Sequence, residues 1–338
     1  MTEGSESAGT GSLLRAHRFS RWPDVRPYWE ELNRTYKGGE LALDFRAHEI
    51  IWERFLGPRG YELQIHVVLE GERCVGIFPM SRSEVDPFGT TLWSLSDDFI
   101  IAREYFCPED RIHEAIDLLP PHFSDDMSCF YRPADTTGFQ QGAGGVVDLK
   151  ESREAYLGSL KGSARRDLSQ TIRRNADLRV ETSARMKSEE MAPLLEVYLR
   201  NRMRKCGETG PGYAEYSRDK ILCDLALMQR AEEMSRLVAL YFRMGDELVA
   251  ANFSVRRETD RVDDYLCIRT DEAVHTKRGL GIFAILANMD VCRAMGVRFY
   301  DMSASGATYK TKFANVGGTF YHRCCELETL EGEAPPGT

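Results

Sequence analysis

The residues best suited to chemistry lie in one stretch of the chain, Thr276–Lys312. It opens with the turn Thr276-Lys277-Arg278-Gly279-Leu280-Gly281 and continues into a long apolar segment that we predict to be a helix. Glycines permit positive φ and a close approach of a ligand to the backbone. The first amides of a helix lack intrahelical partners and carry the positive end of its dipole. The turn therefore predicts a site for a phosphate or pyrophosphate.

A purely structural interpretation of the turn stays open. Gly279 and Gly281 would then serve only to let a buried helix pack closely against a strand, since Ile282–Met289 is largely apolar. Lys277 and Arg278 favour the anion site, because they add positive charge where the helix amides already point. The glycine spacing matches neither the dinucleotide-binding fingerprint nor the phosphate loop of nucleoside triphosphatases.

The turn resembles the acyl-CoA pyrophosphate loop of the GNAT acyltransferase superfamily, in which Arg/Gln-x-x-Gly-x-Gly/Ala opens a helix after a strand. Thr276 stands here where Arg or Gln is usual. Downstream, Phe299-Tyr300-Asp301 and Tyr309-Lys310-x-x-Phe313 resemble the end of the BioF2-like acyltransferases and of the FemABX aminoacyl-tRNA-dependent transferases. The resemblance covers about residues 20–322, although its specific motifs occur only in the second half.

The resemblance implies how the donor is held. Thr276, Lys277, Arg278, Gly279, Leu280 and Gly281 would contact CoA. The strand upstream would separate from its neighbour to make a cleft, and its backbone at Cys267 and Ile268 would stabilise the oxyanion of the tetrahedral intermediate. Lys310 would neutralise a phosphate or that oxyanion, although a surface lysine without a function is the alternative.

Acid–base candidates end the next strand, where strands of open sheets commonly present side chains to a cleft. Acyl transfer to an amine needs a base for the attacking nitrogen and benefits from an acid for the leaving group. Asp301 is the candidate base, directly or through water, and Tyr300 or Tyr309 is the candidate acid. In the alternative interpretation, Asp301 caps or ion-pairs with a neighbouring element.

A basic segment, Ser163–Asn175, is predicted to be an amphipathic helix with a core stripe and an arginine-rich face. That face is either simply solvated or an electrostatic guide for tRNA or another phosphate-bearing acceptor. The arginines concerned are Arg165, Arg166, Arg173 and Arg174.

The amino-acid composition of the chain limits which classes of protein it can belong to. The chain has 338 residues, a formal net charge of −9, nine cysteines and seven histidines. The negative net charge argues against a large basic surface that could bind nucleic acid, and we expect no DNA partner. Without an apolar run of about eighteen residues or a secretory pattern, we expect a cytoplasmic protein with reduced thiols. No metal-ligand spacing occurs, so we expect no metal.

The predicted fold class is α/β (α+β), with two tandem GNAT-like domains, each a mixed twisted sheet flanked by helices. The hairpin patterns around Gly71 and Gly245 parallel each other in the two halves. The predicted boundaries place an N-terminal, acceptor-side domain at residues 13–150 and a donor-binding, catalytic domain at 151–327. Polar tails at residues 1–12 and 328–338 are expected to be disordered.

The leading functional hypothesis is direct transfer of an acyl group from acyl-CoA to an amine of a small-molecule or peptide-like acceptor. The alternative keeps the fold and uses aminoacyl-tRNA as donor, forming a peptide bond. A further alternative is a non-catalytic module that binds CoA or a nucleotide. The sequence identifies neither the acceptor, nor the acyl group, nor the oligomeric state.

Overall fold

Two long antiparallel hairpins form where largely apolar segments flank a glycine. The first joins β2 (Glu62–Glu70) to β3 (Arg73–Arg82), and the second joins β8 (Leu237–Met244) to β9 (Glu247–Arg256). The turn glycines have φ of 64° at Gly71 and 60° at Gly245, which side chains rarely adopt. Both hairpins were predicted and both are confirmed.

The computed structural model describes residues 14–35, 41–82, 92–94, 107, 111, 114–115, 117–119, 123–129, 140–207, 213–257, 260–270, 277–304, 313–315 and 318–324. The other strands are β1 (Leu14–Phe19), β4 (Leu92–Ser94), β5 (Phe123–Cys129), β6 (Gln140–Asp148), β7 (Arg179–Ser183), β10 (Arg261–Arg269), β11 (Phe299–Ala304) and β12 (Gly318–Cys324). The α-helices are α1 (Trp22–Thr35), α2 (Phe45–Ile51), α3 (Arg153–Ser159), α4 (Gly162–Arg174), α5 (Ser188–Gly207), α6 (Tyr213–Glu233) and α7 (Leu280–Ala294).

The described strands form one sheet in the order β1-β2-β3-β4-β5-β12-β6-β11-β10-β9-β8-β7. Its two halves repeat one pattern. From each outer edge inward there are three antiparallel pairs, one parallel pair (β4–β5 or β10–β11) and one further antiparallel pair. This confirms the predicted α/β fold with two tandem units of similar topology.

The two units exchange their innermost strands. β6, which ends the first half of the chain, pairs with β11 of the second unit, and β12, near the chain end, pairs with β5 of the first. β6 and β12 then pair with each other at the centre of the sheet. The predicted boundary at residue 150 therefore divides the chain, but it does not divide the sheet.

Helices cover both faces of the second unit. On one face, apolar side chains of α5 and α6 share a continuous core with those of α1 and α2 from the first unit. On the other face, α7 packs with α3 and α4 over β8–β11. A helix buried against a sheet in this way needs apolar side chains on most of its surface, and α7 has them.

Some elements have no counterpart in the sequence predictions. α2 continues directly into a π-helical turn at Trp52–Leu56. β1, β6, β12 and α3 were not predicted either. Both predicted tails lie outside the described residues.

In the described part of the chain, no helix is long and apolar enough to cross a membrane. The cysteines that the structure describes have free thiols.

A bidentate ion pair joins the two units, and its loss should destabilise the protein. Asp44 caps α2 by accepting from the Ala47 amide at 2.8 Å, and it also accepts from Arg230 of α6 at 2.8 and 2.9 Å. Asp44→Ala removes the cap and the ion pair, so we expect the free energy of unfolding to fall by about 2–3 kcal/mol.

Urea unfolding of the wild type, Asp44→Ala and Asp44→Asn would measure this loss. Asn is as good a cap as Asp but carries no charge, so Asp44→Asn should lose only about 1 kcal/mol. Equal losses in the two variants would contradict this expectation, because the charge on Asp44 would then account for the whole loss and the cap for none of it.

Candidate functional site

The predicted anion turn is built as a left-handed turn into α7. Gly279 has φ of 70° and ψ of 45° and is the N-cap of the helix, which begins at Leu280. Because glycine has no side chain, it cannot cap the first helix amides itself. These amides therefore carry the positive end of the α7 dipole at the turn. Thr276, the first residue of the predicted motif, lies outside the described residues.

The C-terminal end of α4 holds this turn in place. The Asn175 side-chain amide donates to the Arg278 carbonyl at 2.9 Å, and the Arg174 guanidinium donates to the Lys277 carbonyl at 3.4 Å. The Arg278 guanidinium pairs with Asp177 at 2.6 Å, which raises the pKa of Arg278. Arg278, predicted to contact the donor, is thus engaged with a carboxylate that also fixes the turn.

Arg269, which the sequence analysis did not single out, contributes a second cation to the turn. It ends β10, and its Nη1 lies 2.8 Å from the position that a Cβ on Gly281 would occupy. Any side chain at residue 281 would therefore displace the guanidinium. Close helix packing is therefore not the only reason for a glycine at position 281. Its missing side chain also leaves room for the Arg269 guanidinium beside the first turn of α7.

The parallel strands β10 and β11 pair over only three residues of each. Arg261, Val262 and Asp263 are in register with Phe299–Asp301, and no further β10–β11 pairs occur in the described part of the chain. β10 nevertheless continues for six residues, to Arg269. The described pairing of β10 with β11 therefore ends at Asp263, and we refer to the edge of β10 from Asp264 to Arg269 as the gap. The separation of the two strands that the resemblance implied stays a prediction.

A row of side chains on the α7 face of β10 follows this gap. Asp264, Cys267 and Arg269 are each partly exposed, whereas Arg261–Asp263 are buried. Ile268 is fully buried on the other face. Burial is the first cause that raises the pKa of the Cys267 thiol, to about 11. Cys267 is therefore a poor nucleophile at neutral pH, since the thiolate is the reactive form.

A buried polar cluster lies where the described β10–β11 pairing ends, and the sequence analysis missed it. Asn252 and Ser254 of β9, Asn288 of α7 and Tyr300 of β11 are 0 % exposed. The Asn288 amide nitrogen contacts Asn252 Oδ1 at 2.5 Å, the Tyr300 hydroxyl at 3.2 Å and the Ser254 hydroxyl. Asn252 in turn donates to Asp264 Oδ1 at 3.1 Å. Polar residues inside otherwise apolar segments were the available signal.

Tyr300 and Asp301 are not exposed in a cleft, contrary to what their strand-end position predicted. Tyr300 belongs to the polar cluster, and burial raises the pKa of its phenol well above the usual value. Asp301 is 1 % exposed and forms an ion pair with Arg261, whose Nε lies 3.4 Å from Asp263. The structure thus gives Asp301 the ion-pair role, and its role as a base stays a prediction.

The remaining candidates divide into two groups. Tyr309 and Lys310 lie outside the described residues. The four arginines of α4 (Arg165, Arg166, Arg173 and Arg174) are all exposed, on the helix whose end holds the anion turn. Among the residues that the structure describes, no group of histidine, cysteine, aspartate or glutamate side chains could hold a metal ion.

Residues 162–311 match the family model for the acetyltransferase (GNAT) domain. The matched range contains the anion turn, β10 and the polar cluster, and the match confirms the resemblance of this part of the chain to the GNAT superfamily.

Solved structures with a similar fold include FemX, at 8% identity and a TM-score of 0.47, covering 81% of this chain and 90% of that one. A tandem GNAT protein from the clavulanic acid biosynthesis pathway has 14% identity and a TM-score of 0.48, covering 92% and 98%. The L-PGS of Bacillus licheniformis has 12% identity and a TM-score of 0.42, covering 75% and 82%. No curated protein sequence matches significantly.

The ion pair between Arg261 and Asp301 makes a prediction about stability. Asp301→Asn would remove the charge that pairs with the buried Arg261 guanidinium, so we expect the free energy of unfolding to fall by about 3–5 kcal/mol. Arg261→Met should cost a similar amount for the same reason. The double variant Arg261→Met/Asp301→Asn should lose less than the sum of the two single losses.

Guanidinium unfolding of the four proteins measures this coupling. Unchanged stability in Asp301→Asn would contradict the ion-pair role and return Asp301 to the position of candidate base.

Proposed function

We propose that this protein is an N-acyltransferase that transfers an acyl group from acyl-CoA directly to an amine of a small-molecule or peptide-like acceptor. The observation that carries the proposal is the continuity of the site. An anion turn with an added cation lies at one end of a partly exposed row on β10, and the end of the β10–β11 pairing lies at the other.

The dimensions of this row suit an extended donor. From Asp264 to Arg269 the strand advances about 16 Å, at about 3.3 Å per residue. A CoA diphosphate beside Gly281 and Arg269 would direct its pantetheine arm along β10 toward the gap. The arm is a chain of amide and methylene groups, and a strand edge without a partner offers peptide groups that amides can pair with.

In such a complex the thioester would lie where β10 and β11 part. Backbone N–H groups on the open edge of β10 would stabilise the oxyanion that develops on the thioester carbonyl. The acceptor nitrogen forms the new C–N bond, the C–S bond breaks, and the CoA sulfur leaves with that electron pair. We infer direct attack rather than an acyl-cysteine intermediate, since burial keeps Cys267 protonated.

An aminoacyl-tRNA donor is the second candidate, and one observation favours it. The exposed arginines of α4 lie on the helix whose C-terminal end contacts the anion turn. A nucleic acid on that face would reach the site that CoA would otherwise occupy, and its affinity would depend mainly on phosphate contacts.

Gly281→Ala tests the CoA site with a single methyl group. The new Cβ would displace Arg269, which costs a charge-assisted contact of about 1.5–3 kcal/mol. We therefore expect the affinity for acetyl-CoA to fall about 10- to 100-fold, measured by isothermal titration calorimetry. Arg269→Gln should show a comparable loss.

Gly158→Ala is the matched control, because a Cβ at this exposed helix position has open space around it. Its affinity for acetyl-CoA should equal that of the wild type. If Gly281→Ala also binds with unchanged affinity, the assignment of this turn to the donor diphosphate is wrong.

Replacing all four α4 arginines with glutamine separates the two donors. With acyl-CoA as donor, acetyl-CoA affinity should change less than threefold and ribonuclease should leave product formation intact. With aminoacyl-tRNA as donor, tRNA affinity should fall by at least tenfold, and the salt dependence of binding should become shallower. Filter binding of bulk tRNA across a salt series measures both effects.

A further inference from the structure

The turn before α7 is held to the end of α4 by two contacts of different kinds. The Asn175 side-chain amide donates to the Arg278 carbonyl at 2.9 Å and to the Thr171 carbonyl at 2.8 Å, and Asn175 is 0 % exposed. This buried contact fixes the main chain of the turn. The Arg278 guanidinium makes the second contact, with Asp177 Oδ1 at 2.6 Å. The Arg278 side chain can therefore change its partner while Asn175 keeps the main chain in place.

The ion pair between Arg278 and Asp177 is open to solvent. The Asp177 side chain is 53% exposed and the Arg278 side chain is 22% exposed. Ion pairs at the surface contribute little to stability, because forming them costs side-chain entropy and solvent screens their attraction. A ligand that offers Arg278 a more highly charged partner would therefore displace the Asp177 carboxylate.

A phosphate monoester is a partner of this kind. It carries nearly two negative charges at neutral pH and three acceptor oxygens, whereas a carboxylate carries one charge and two oxygens. Guanidinium–phosphate contacts are charge-assisted and frequently bidentate. Lys277 is exposed on the same turn and adds a positive charge next to Arg278. The surroundings of Arg278 therefore favour a phosphate over the carboxylate of Asp177.

The two cations of the anion turn lie on different sides of it. Arg269 of β10 lies beside Gly281, where we place the donor diphosphate. The Arg278 guanidinium contacts Asp177 and the Arg174 carbonyl, so it lies on the α4 side. A phosphate at Arg278 would therefore be a separate group from the diphosphate. In CoA the separate phosphate is the 3′-phosphate of the ribose.

We propose that the ribose 3′-phosphate of the donor displaces Asp177 from Arg278, and that Asp177 thereby sets the selectivity between CoA thioesters and donors without this phosphate. This proposal rests on the proposed N-acyltransferase function with CoA as the carrier. No covalent bond changes in the exchange, since the phosphate takes the guanidinium and the Asp177 carboxylate is released to solvent. Asp177 acts through Arg278 and is a specificity-determining residue, not a catalytic one.

The size of the effect follows from the competition. Only the protein molecules in which Arg278 is free can bind the phosphate, so the ion pair lowers the apparent affinity by that fraction. For an exposed pair the free fraction is on the order of one third to one sixth. Asp177→Asn should therefore raise the affinity for acetyl-CoA about three- to sixfold. The affinity for acetyl-dephospho-CoA, which lacks only the 3′-phosphate, should stay within about twofold of the wild type.

Arg278→Gln should have the opposite effect on the same ligand. We expect acetyl-CoA to bind at least about threefold more weakly and acetyl-dephospho-CoA to bind within about twofold of the wild type. Adding Asp177→Asn to Arg278→Gln should change neither affinity by more than about twofold, because Asp177 acts through Arg278. Isothermal titration calorimetry with both ligands at one salt concentration measures the set. Normal binding of acetyl-dephospho-CoA shows that a variant keeps its fold and its diphosphate site.

Glu196→Gln is the matched control for the change in net charge. Glu196 pairs with Arg200 on α5, and its side chain is 74% exposed. This substitution removes one negative charge and one exposed ion pair, as Asp177→Asn does, but away from the turn. Both ligands should bind to Glu196→Gln as they bind to the wild type.

The two ligands make each outcome decisive. An affinity for acetyl-CoA that rises less than threefold in Asp177→Asn overturns the proposal. An equal rise for both ligands also overturns it, because Arg278 would then contact the diphosphate and not the 3′-phosphate. Failure of the donor assignment is distinguishable, since in that case the wild type binds neither ligand and this proposal falls with the assignment.

Discussion

The early end of pairing between β10 and β11 is the constraint on which the rest of the site depends. In the described part of the chain the two parallel strands pair over three residues only, and the peptide groups beyond these pairs need other partners. The polar cluster links the neighbouring elements, because Asn288 on α7 contacts Asn252 on β9 and Tyr300 on β11. The side chains that hold β9 and β11 in position therefore also hold α7. The first turn of α7 is the predicted anion site.

The exchange of strands makes the range that matches the family model dependent on the other half of the chain. β11 has β10 on one side for only three residues and has β6 on the other. β6 precedes residue 150, so its pairing with β11 comes from outside the range that matches the family model. The first unit therefore supports the site structurally, whether or not it contacts a substrate.

The predictable parts of this fold are those encoded locally. Apolar segments on either side of Gly71 and Gly245 specified both hairpins, and the glycine turn specified the start of α7. β6 escaped prediction because Gln140–Asp148 is rich in glycine, which disfavours strands, and its pairing comes from partners far away in sequence. Arg269 and Asp264 escaped prediction for a different reason, because each acquires its role from a contact with another element.

A β-bulge explains why strand periodicity alone could not place these two side chains. Asp264 and Arg269 are five residues apart, so in a regular strand they would point to opposite faces. The register between β10 and β9 shifts between Asp264 and Leu266, and Tyr265 and Leu266 both pack toward the core shared with α5 and α6. The extra residue restores Cys267 and Arg269 to the α7 face, since a bulge reverses alternation beyond it. One irregular residue therefore aligns a carboxylate and a guanidinium along the same side of the gap.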